Sequence, residues 1–226
     1  MSNKIHPTAI IGEGVELGTD NEILPYTVIM GPTKIGNNNI IGPHVVIGSP
    51  GQNTREPRYD ASNSKVEIGD NNIIKEFSAI QKPCISEKTK VGNGTFLMHG
   101  THIPHDAFID DNVVVTPFSA CGGHVSILKG ANIGIGAIIH QFSVIGHYSM
   151  LAANATIVKN VKPFSKYIPG KPLKVNDYNI KKYGYEEYTD EIYKYILEDV
   201  KPVSDAVLEL TDTFERLHVE SERRLY

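Results

Sequence analysis

The 226-residue chain contains no tryptophan, and Cys84 and Cys121 are its two cysteines. Two cysteines cannot build the disulfide framework of a small secreted domain, so the composition favours a reducing compartment and a cytoplasmic location. The net charge of −4 gives no electrostatic reason to propose nucleic acid as a partner. We therefore expect a cytoplasmic protein that does not bind nucleic acid.

Long apolar runs are also absent from the sequence. No stretch approaches the roughly 20 apolar residues that a membrane-spanning helix needs. The first ten residues, MSNKIHPTAI, lack the apolar segment of a signal peptide. We therefore expect no membrane span.

The length of the chain suits one domain with an appendage.

An apolar residue recurs at every sixth position of the sequence. The period runs from Ile5 to Ile47 and again, without interruption, from Val91 to Ile157. A helix repeats every 3.6 residues and a strand every 2, so neither alone produces this spacing. A period of six is typical of a parallel β-helix, in which three short strands form one triangular coil of about 18 residues. The sequence therefore predicts a mainly β protein with a parallel β-helix over residues 1–170.

Two interruptions break the period. Residues 49–65 are polar and contain two prolines, which predicts a loop that leaves the solenoid. We interpret the 21 residues from Ile47 to Ile68 as one coil of 18 plus three. A second slip separates Ile80 from Val91 by eleven residues instead of twelve. Loops on one side of a solenoid usually build its binding face, although the second slip fits a tolerated insertion equally well.

The C-terminal part, residues 171–226, has a different pattern. From about Asn176 the apolar residues recur at spacings of three and four, which predicts helices, and Pro202 separates two of them. A short helical tail of this kind can cover the unpaired strand edge at the end of a solenoid.

Histidines are concentrated in the uninterrupted stretch. Positions 18 apart stack on consecutive coils, so His105, Gly123 and Gln141 fall in one column, with His124 and His140 beside it. His102 lies three residues before His105. This clustering favours a shared site near one corner. It suggests that one histidine acts as a general base, with Asp106 as a neighbouring carboxylate that orients it.

The same residue types also serve two other kinds of chemistry. Three imidazoles can bind zinc and leave one position open for water. The β-helical carbonic anhydrases use such histidines, two of them five residues apart, but no two histidines of this chain have that separation. Catalysis by a cysteine nucleophile lacks support, because Cys121 occupies an inward-facing position of the period. We therefore expect no metal.

Four motifs occur in a fixed order, and together they resemble a known family. They are HGTHIPHD, GGHVSI, IGIGAIIHQF and VNDYNIKKYG. In this order they resemble the UDP-N-acetylglucosamine O-acyltransferases of lipid A synthesis, a part of lipopolysaccharide biosynthesis, and the likeness covers roughly His6 to Gly184. The resemblance implies a left-handed winding and a homotrimer, neither of which the spacing shows.

The resemblance also implies roles for individual residues. It assigns the general base to His105, the orienting carboxylate to Asp106 and an oxyanion-binding backbone amide to Gly123. The residues that it implies for sugar-nucleotide and donor binding are His102, His124, His140 and Gln141. Two positions of the tail, Asn176 and Lys182, are implied contacts to the nucleotide.

Several residues depart from the family pattern. Pro117 and Phe118 replace a pair of asparagines, Tyr183 replaces an arginine, and the segment PGKPLK is similar to the end of acetyltransferases that use coenzyme A. We therefore expect an acyltransferase that uses acyl-CoA or acyl carrier protein as the donor and holds no bound cofactor. Its acceptor is the amine or hydroxyl of a UDP- or dTDP-linked sugar, and the departures favour the amine.

Three alternatives remain open at this point. The first is O-acylation of UDP-N-acetylglucosamine from an acyl carrier protein, as in lipid A synthesis. The second is a solenoid that binds a sugar nucleotide without catalysis. The third is a zinc enzyme of the carbonic anhydrase type.

Overall fold

The computed structural model describes residues 2–52, 61 and 64–226. Its short strands stack into three sheets, which are the faces of a left-handed parallel β-helix with a triangular cross-section. The predicted fold class, including the short helical tail, is therefore confirmed.

The strands are numbered in chain order, and each sheet takes every third strand over most of the solenoid. Sheet 1 contains β1 (Lys4–Ile5), β4 (Glu22–Ile23), β7 (Ile40–Ile41), β10 (Ile73–Ile74), β13 (Phe96–Leu97), β16 (Val114–Val115), β19 (Asn132–Ile133), β22 (Met150–Leu151), β24 (Ser165–Tyr167) and β25 (Lys174–Val175). Sheet 2 contains β2 (Ile10–Ile11), β5 (Val28–Ile29), β8 (Val46–Ser49), β11 (Ala79–Gln81), β14 (His102–Ile103), β17 (Ala120–Cys121), β20 (Ile138–Ile139) and β23 (Thr156–Ile157). Sheet 3 contains β3 (Val15–Leu17), β6 (Thr33–Ile35), β9 (Lys65–Ile68), β12 (Lys88–Val91), β15 (Phe108–Ile109), β18 (Ser126–Ile127) and β21 (Val144–Ile145).

The period-six residues form the core. Ile80 pairs with Ile103, and Cys121 pairs with Ile139, so side chains of the same phase stack from coil to coil. These four residues are at most 5% exposed, because the second residue of each two-residue strand faces inward. Burying such a column of aliphatic side chains is the main favourable contribution to the stability of the solenoid.

Both interruptions of the period leave the solenoid at the corner between sheets 2 and 3. The paired residues Ile47 and Ile80 are 33 residues apart, 15 more than one coil. Strand β8 is followed directly by β9 on the next face, so our interpretation of one coil plus three residues was wrong. Residues 53–60 and 62–63 of this predicted loop lie outside the described residues. The second interruption inserts five residues, since the paired residues Ile80 and Ile103 are 23 apart.

The tail contains three α-helices and one short 3-10 helix. They are α1 (Asp177–Lys182), the 3-10 helix Glu186–Tyr188, α2 (Thr189–Glu198) and α3 (Asp205–Ser221). Helix α3 packs Phe214 against Leu128 and Val144 near sheet 3. The backbone of Asn160, in the last coil, accepts a hydrogen bond from Tyr226 N–H at 3.1 Å and donates one to Arg224 O at 2.7 Å. Among the described residues, no helix is long and apolar enough to span a membrane.

Candidate active site

The predicted histidine column lies at the corner between sheets 2 and 3, which we call the histidine corner. It comprises His105, Asp106, Gly123, His124 and Gln141, in the turns between β14 and β15, β17 and β18, and β20 and β21. Asp106 and His124 adopt left-handed backbone conformations, with φ values of 59° and 60°. Asp and His tolerate this conformation better than most residues, which suits them to a sharp corner.

The Asp106 carboxylate is held by five donors. Its Oδ1 atom accepts hydrogen bonds from Ile85 N–H at 3.0 Å, Ser86 N–H at 2.6 Å and Ser86 Oγ–H at 2.7 Å. Its Oδ2 atom lies 3.0 Å from the backbone nitrogen of Cys84 and 2.7 Å from His105 Nδ1. The side chain has no exposed surface. The segment inserted by the second interruption therefore binds the carboxylate beside His105.

These contacts keep the carboxylate ionised. Burial alone raises the pKa of Asp106, but the hydrogen bonds from His105, Ser86 and Cys84 outweigh burial and hold this pKa well below its usual range. An ionised carboxylate only accepts hydrogen bonds, so His105 Nδ1 must carry the proton that lies between them. The other ring nitrogen, Nε2, then has a lone pair and can accept a proton from a substrate.

Two glycines leave room for the His105 side chain. A Cβ atom added at Gly123 would lie 2.6 Å from His105 Nε2, which is far inside normal contact. A Cβ atom added at Gly51 would lie 2.6 Å from His105 Cβ. Among the described residues, Gly123 N–H has no hydrogen-bond acceptor. The predicted oxyanion donor thus lies against the predicted base with its N–H group unused.

His124 completes the centre of the corner. Its Nε2 atom lies 3.6 Å from Asp106 Oδ2, and its ring meets that of His105 edge to face, with 5.3 Å between centroids. Phe142 stacks on the opposite side at 4.5 Å. Burial lowers the pKa of His124, and the charge of Asp106 opposes that effect only in part. His124 is therefore mainly neutral at pH 7 and can donate or accept one hydrogen bond.

His102 lies on β14, one strand before the corner. Its Nε2 atom is buried and has no hydrogen-bond partner in the part of the chain that the structure describes. Burial lowers the pKa of this imidazole, and nearby His105 lowers it further. A buried nitrogen without a hydrogen-bond partner lowers the stability of the fold, which is typical of a group that binds a ligand.

His140 and Gln141 lie two coils further along the solenoid. His140 is exposed, and its Nδ1 atom lies 2.8 Å from the guanidinium of Arg223, just beyond α3. The structure therefore brings a cation from the tail to the corner that contains Gln141. No sequence pattern indicated this contact, because 83 residues separate the two partners.

Asn176 and Lys182 are not near the histidine corner of the same chain. They line a cavity of about 330 Å³ together with Asn132, Met150 and Lys166 of sheet 1. Sheet 1 is the face opposite the corner that joins sheets 2 and 3. The buried side chain of Asn176 also donates to Tyr148 O at 3.1 Å. One chain alone does not unite the implied nucleotide contacts with the implied base.

Three residues at the corner were missed in the sequence: Gly51, Cys84 and Ser86. Cys84 Sγ, a ring nitrogen of His105 and a carboxylate oxygen of Asp106 lie within 4.8 Å of one another. The second slip contains Cys84 and Ser86 and fits a binding loop and a tolerated insertion equally well, while Gly51 lies in the first predicted loop.

Comparisons with known proteins agree with this fold and its motifs. Residues 17–49 match the family described as bacterial transferase hexapeptide (six repeats). An acyl-[acyl-carrier-protein]–UDP-N-acetylglucosamine O-acyltransferase of Nautilia profundicola is 31% identical over 178 residues, which are 75% of this chain and 68% of the relative. The chain belongs to the UDP-N-acetylglucosamine O-acyltransferase family.

Other members of the UDP-N-acetylglucosamine O-acyltransferase family match over a smaller share. The enzyme of Aliivibrio salmonicida is 29% identical over 141 residues, 61% of this chain and 54% of the relative. That of Gloeothece citriformis is 34% identical over 131 residues, 58% of this chain and 47% of the relative. The chain thus spans about half the length of these two relatives.

Solved structures of the UDP-N-acetylglucosamine acyltransferases match almost the whole chain. The structure from Bacteroides fragilis has a TM-score of 0.79 at 28% identity and covers 99% of this chain and 98% of its own. The structure from Francisella novicida has a TM-score of 0.76 at 25% identity, covering 99% and 90%. The shared architecture therefore includes the helical tail.

Proposed function

We propose that this chain transfers an acyl group from a thioester to the hydroxyl or amine of a nucleotide-linked sugar, with His105 as the general base. The observation that carries the proposal is the 2.7 Å contact between His105 Nδ1 and the buried Asp106 carboxylate. Beside it lies Gly123, whose N–H group has no acceptor within the described ranges. A fixed base and a free oxyanion donor are the two groups that direct acyl transfer requires.

The reaction follows from these positions. His105 Nε2 removes the proton from the acceptor as its oxygen or nitrogen forms a bond to the thioester carbonyl carbon. Negative charge develops on the carbonyl oxygen, where the N–H of Gly123 can donate a hydrogen bond. The carbon–sulfur bond then breaks, and the leaving thiolate takes the proton from the imidazolium. General base catalysis contributes about 10²–10⁴-fold, and one oxyanion donor about 10²–10³-fold.

The relatives favour one pair of substrates. Their names specify an acyl carrier protein as donor and UDP-N-acetylglucosamine as acceptor. We propose this pair first for the present chain. An amine acceptor and an acyl-CoA donor, which the departures at Tyr183 and in PGKPLK favour, are the second pair.

We further propose that the working site lies between two chains of a homotrimer. The separation of the histidine corner from the Lys182 cavity supports this arrangement, since a neighbouring chain can place its sheet 1 against the corner. A deep site also forms more easily between two prisms than on one flat face. We place this trimer in the cytoplasm, in keeping with its two thiols.

The test is transfer measured by mass spectrometry. UDP-N-acetylglucosamine and UDP- and dTDP-linked amino sugars are each offered with hydroxyacyl carrier protein, acetyl-CoA and 3-hydroxybutyryl-CoA. We expect product from at least one pair, and a loss of at least about 10²-fold in the His105→Ala variant. Full activity of that variant would contradict the mechanism. Binding of a sugar nucleotide without product from any pair would favour the non-catalytic alternative.

A further inference from the structure

The histidine corner contains a thiol in addition to the base and its carboxylate. The backbone N–H of Cys84 donates to Asp106 Oδ2 at 3.0 Å, and the same oxygen binds His105 Nδ1 at 2.7 Å. One oxygen atom thus ties the inserted segment to the base. The three potential ligand atoms, one from each side chain, lie within 4.8 Å of one another.

Gly51 leaves room for the thiol. A Cβ atom added at Gly51 would collide with Cys84 Sγ and would lie 2.6 Å from His105 Cβ. Both side chains therefore pack against the same glycine, at the start of the first loop. Cys84 is half-buried, unlike Cys121, which is buried in the core.

We propose that Cys84, His105 and Asp106 form a binding site for a soft divalent cation such as Zn²⁺, and that this cation switches acyl transfer off. Thiolate, imidazole and carboxylate are the donors that zinc takes in proteins. Donors around tetrahedral zinc are roughly 3.3–3.8 Å apart, so the more distant atoms must close by about 1 Å. If the ion binds Nδ1, that nitrogen and Asp106 Oδ2, now 2.7 Å apart, must also separate. His124, with Nε2 at 3.6 Å from Asp106 Oδ2, or a water molecule supplies the fourth ligand.

The cation disables the base whichever ring nitrogen it binds. A cation on His105 Nε2 occupies the lone pair that accepts the proton of the acceptor. A cation on Nδ1 displaces the proton that Nδ1 donates to Asp106. The neutral ring then carries its one proton on Nε2. In either case the imidazole has no free acceptor, so transfer stops.

Binding also releases a proton. The Cys84 thiol must become a thiolate to bind the cation, whereas Asp106 is already ionised. Cys121 provides an internal comparison, because burial raises its pKa to about 12 and the side chain faces the core.

Binding is tested on the full chain, first cleared of metal with a chelator. Zn²⁺ is titrated by calorimetry, and Co²⁺ is used as a spectroscopic probe of thiolate ligation. We expect one ion per chain and a thiolate-to-cobalt charge-transfer band. The Cys84→Ala variant should lose that band and bind Zn²⁺ at least about tenfold more weakly, while Cys121→Ala keeps both. Absence of the band in the native chain, or equal Zn²⁺ affinity in Cys84→Ala, would overturn the site.

Inhibition of acyl transfer by Zn²⁺ rests on the proposed function, so it is measured separately from Zn²⁺ binding. For each variant the transfer rate is compared with and without Zn²⁺, so the rate of the variant itself does not enter the comparison. We expect at least about tenfold inhibition of the native chain, its reversal by a chelator, and little inhibition of Cys84→Ala. Zn²⁺ bound through Cys84 without inhibition would disprove the switch alone. If no substrate pair gives product, the proposed function fails, while the cobalt band still decides the metal site.

Discussion

Gly123 lies against the imidazole of His105, one coil further along the solenoid, with no space between them for a methyl group. An added Cβ would lie 2.6 Å from His105 Nε2, the atom that we expect to accept the proton. Gly123→Ala should therefore displace the ring and reduce kcat by about 10²-fold, because displacement of a catalytic group by about 1 Å has effects of this size. The measurements are the transfer rate and the thermal unfolding temperature.

The neighbouring glycine provides the comparison for this variant. A Cβ at Gly122 would lie 2.5 Å from the backbone nitrogen of Gln141, which cannot rotate away. Gly122→Ala should therefore lower the unfolding temperature, whereas Gly123→Ala meets only a side chain and should unfold nearly as the native chain does. Equal losses of stability in the two variants, or native activity in Gly123→Ala, would contradict the assignment.

Replacement of Asp106 by asparagine should reduce the transfer rate by about 10²–10⁴-fold. The two carboxylate oxygens accept five hydrogen bonds, so an amide NH₂ in place of either oxygen faces donors instead of acceptors. With the NH₂ group in place of Oδ2, His105 loses the partner that keeps the proton on Nδ1. In either orientation the negative charge that stabilises the imidazolium is lost. The pH profile of kcat/KM reports the altered base.

Asp111→Asn is the matched control for the charge. Asp111 accepts a hydrogen bond from Asn93 N–H at 2.7 Å on the corner between sheets 3 and 1, away from the histidine corner. This variant should keep the native transfer rate. If both asparagine variants were equally active, the orienting role of Asp106 would be wrong.

The period of six predicted the inward-facing residues but not the face on which each strand lies. All three sheets share the same apolar phase, so an inserted loop can end at any of the three corners without disturbing the pattern. The 21 residues from Ile47 to Ile68 therefore fit a coil plus three by spacing alone, whereas strand pairing shows a single corner with a 15-residue insertion. After Val91 no insertion interrupts the period, so the spacing of 18 correctly predicted that His105, Gly123 and Gln141 share one corner.

For the same reason, the spacing could not predict part of the candidate site. Cys84 and Ser86 lie in an inserted segment whose path depends on its hydrogen bonds to Asp106, and no spacing encodes that path. The contact of Arg223 with His140 depends on how α3 packs onto sheet 3. The distance from Lys182 to the histidine corner likewise required the whole triangular cross-section.

Buried His147 should make the fold less stable in mild acid. Burial, assisted by the charge of Lys129, lowers the pKa of His147 from 6.5 to about 4. The unfolded chain therefore binds a proton at this position below about pH 6.5, while the folded chain does not until about pH 4. Stability is complete above pH 6.5, and roughly 3 kcal/mol of it is lost as the pH falls to 4.

The test is the free energy of unfolding in urea between pH 7 and pH 4, for the native chain and for His147→Gln. Burial also lowers the pKa of His102 and His124, so both proteins should lose some stability over this range. The native chain should lose more, because glutamine does not titrate. Parallel curves for the two proteins would show that folding does not lower the pKa of His147.

Two inactive variants should restore activity to each other if the site lies between chains. His105→Ala removes the base at the histidine corner, and Lys182→Glu places a negative charge in the sheet 1 cavity, where we expect the nucleotide phosphates. In a mixed trimer, a Lys182→Glu chain offers an intact corner and a His105→Ala chain offers an intact cavity. With random mixing, about one quarter of the interfaces combine the two intact parts. The rate of co-expressed chains at low acceptor concentration should therefore rise toward a quarter of the native value. A rate no higher than the sum of the two variants would place the complete site within one chain.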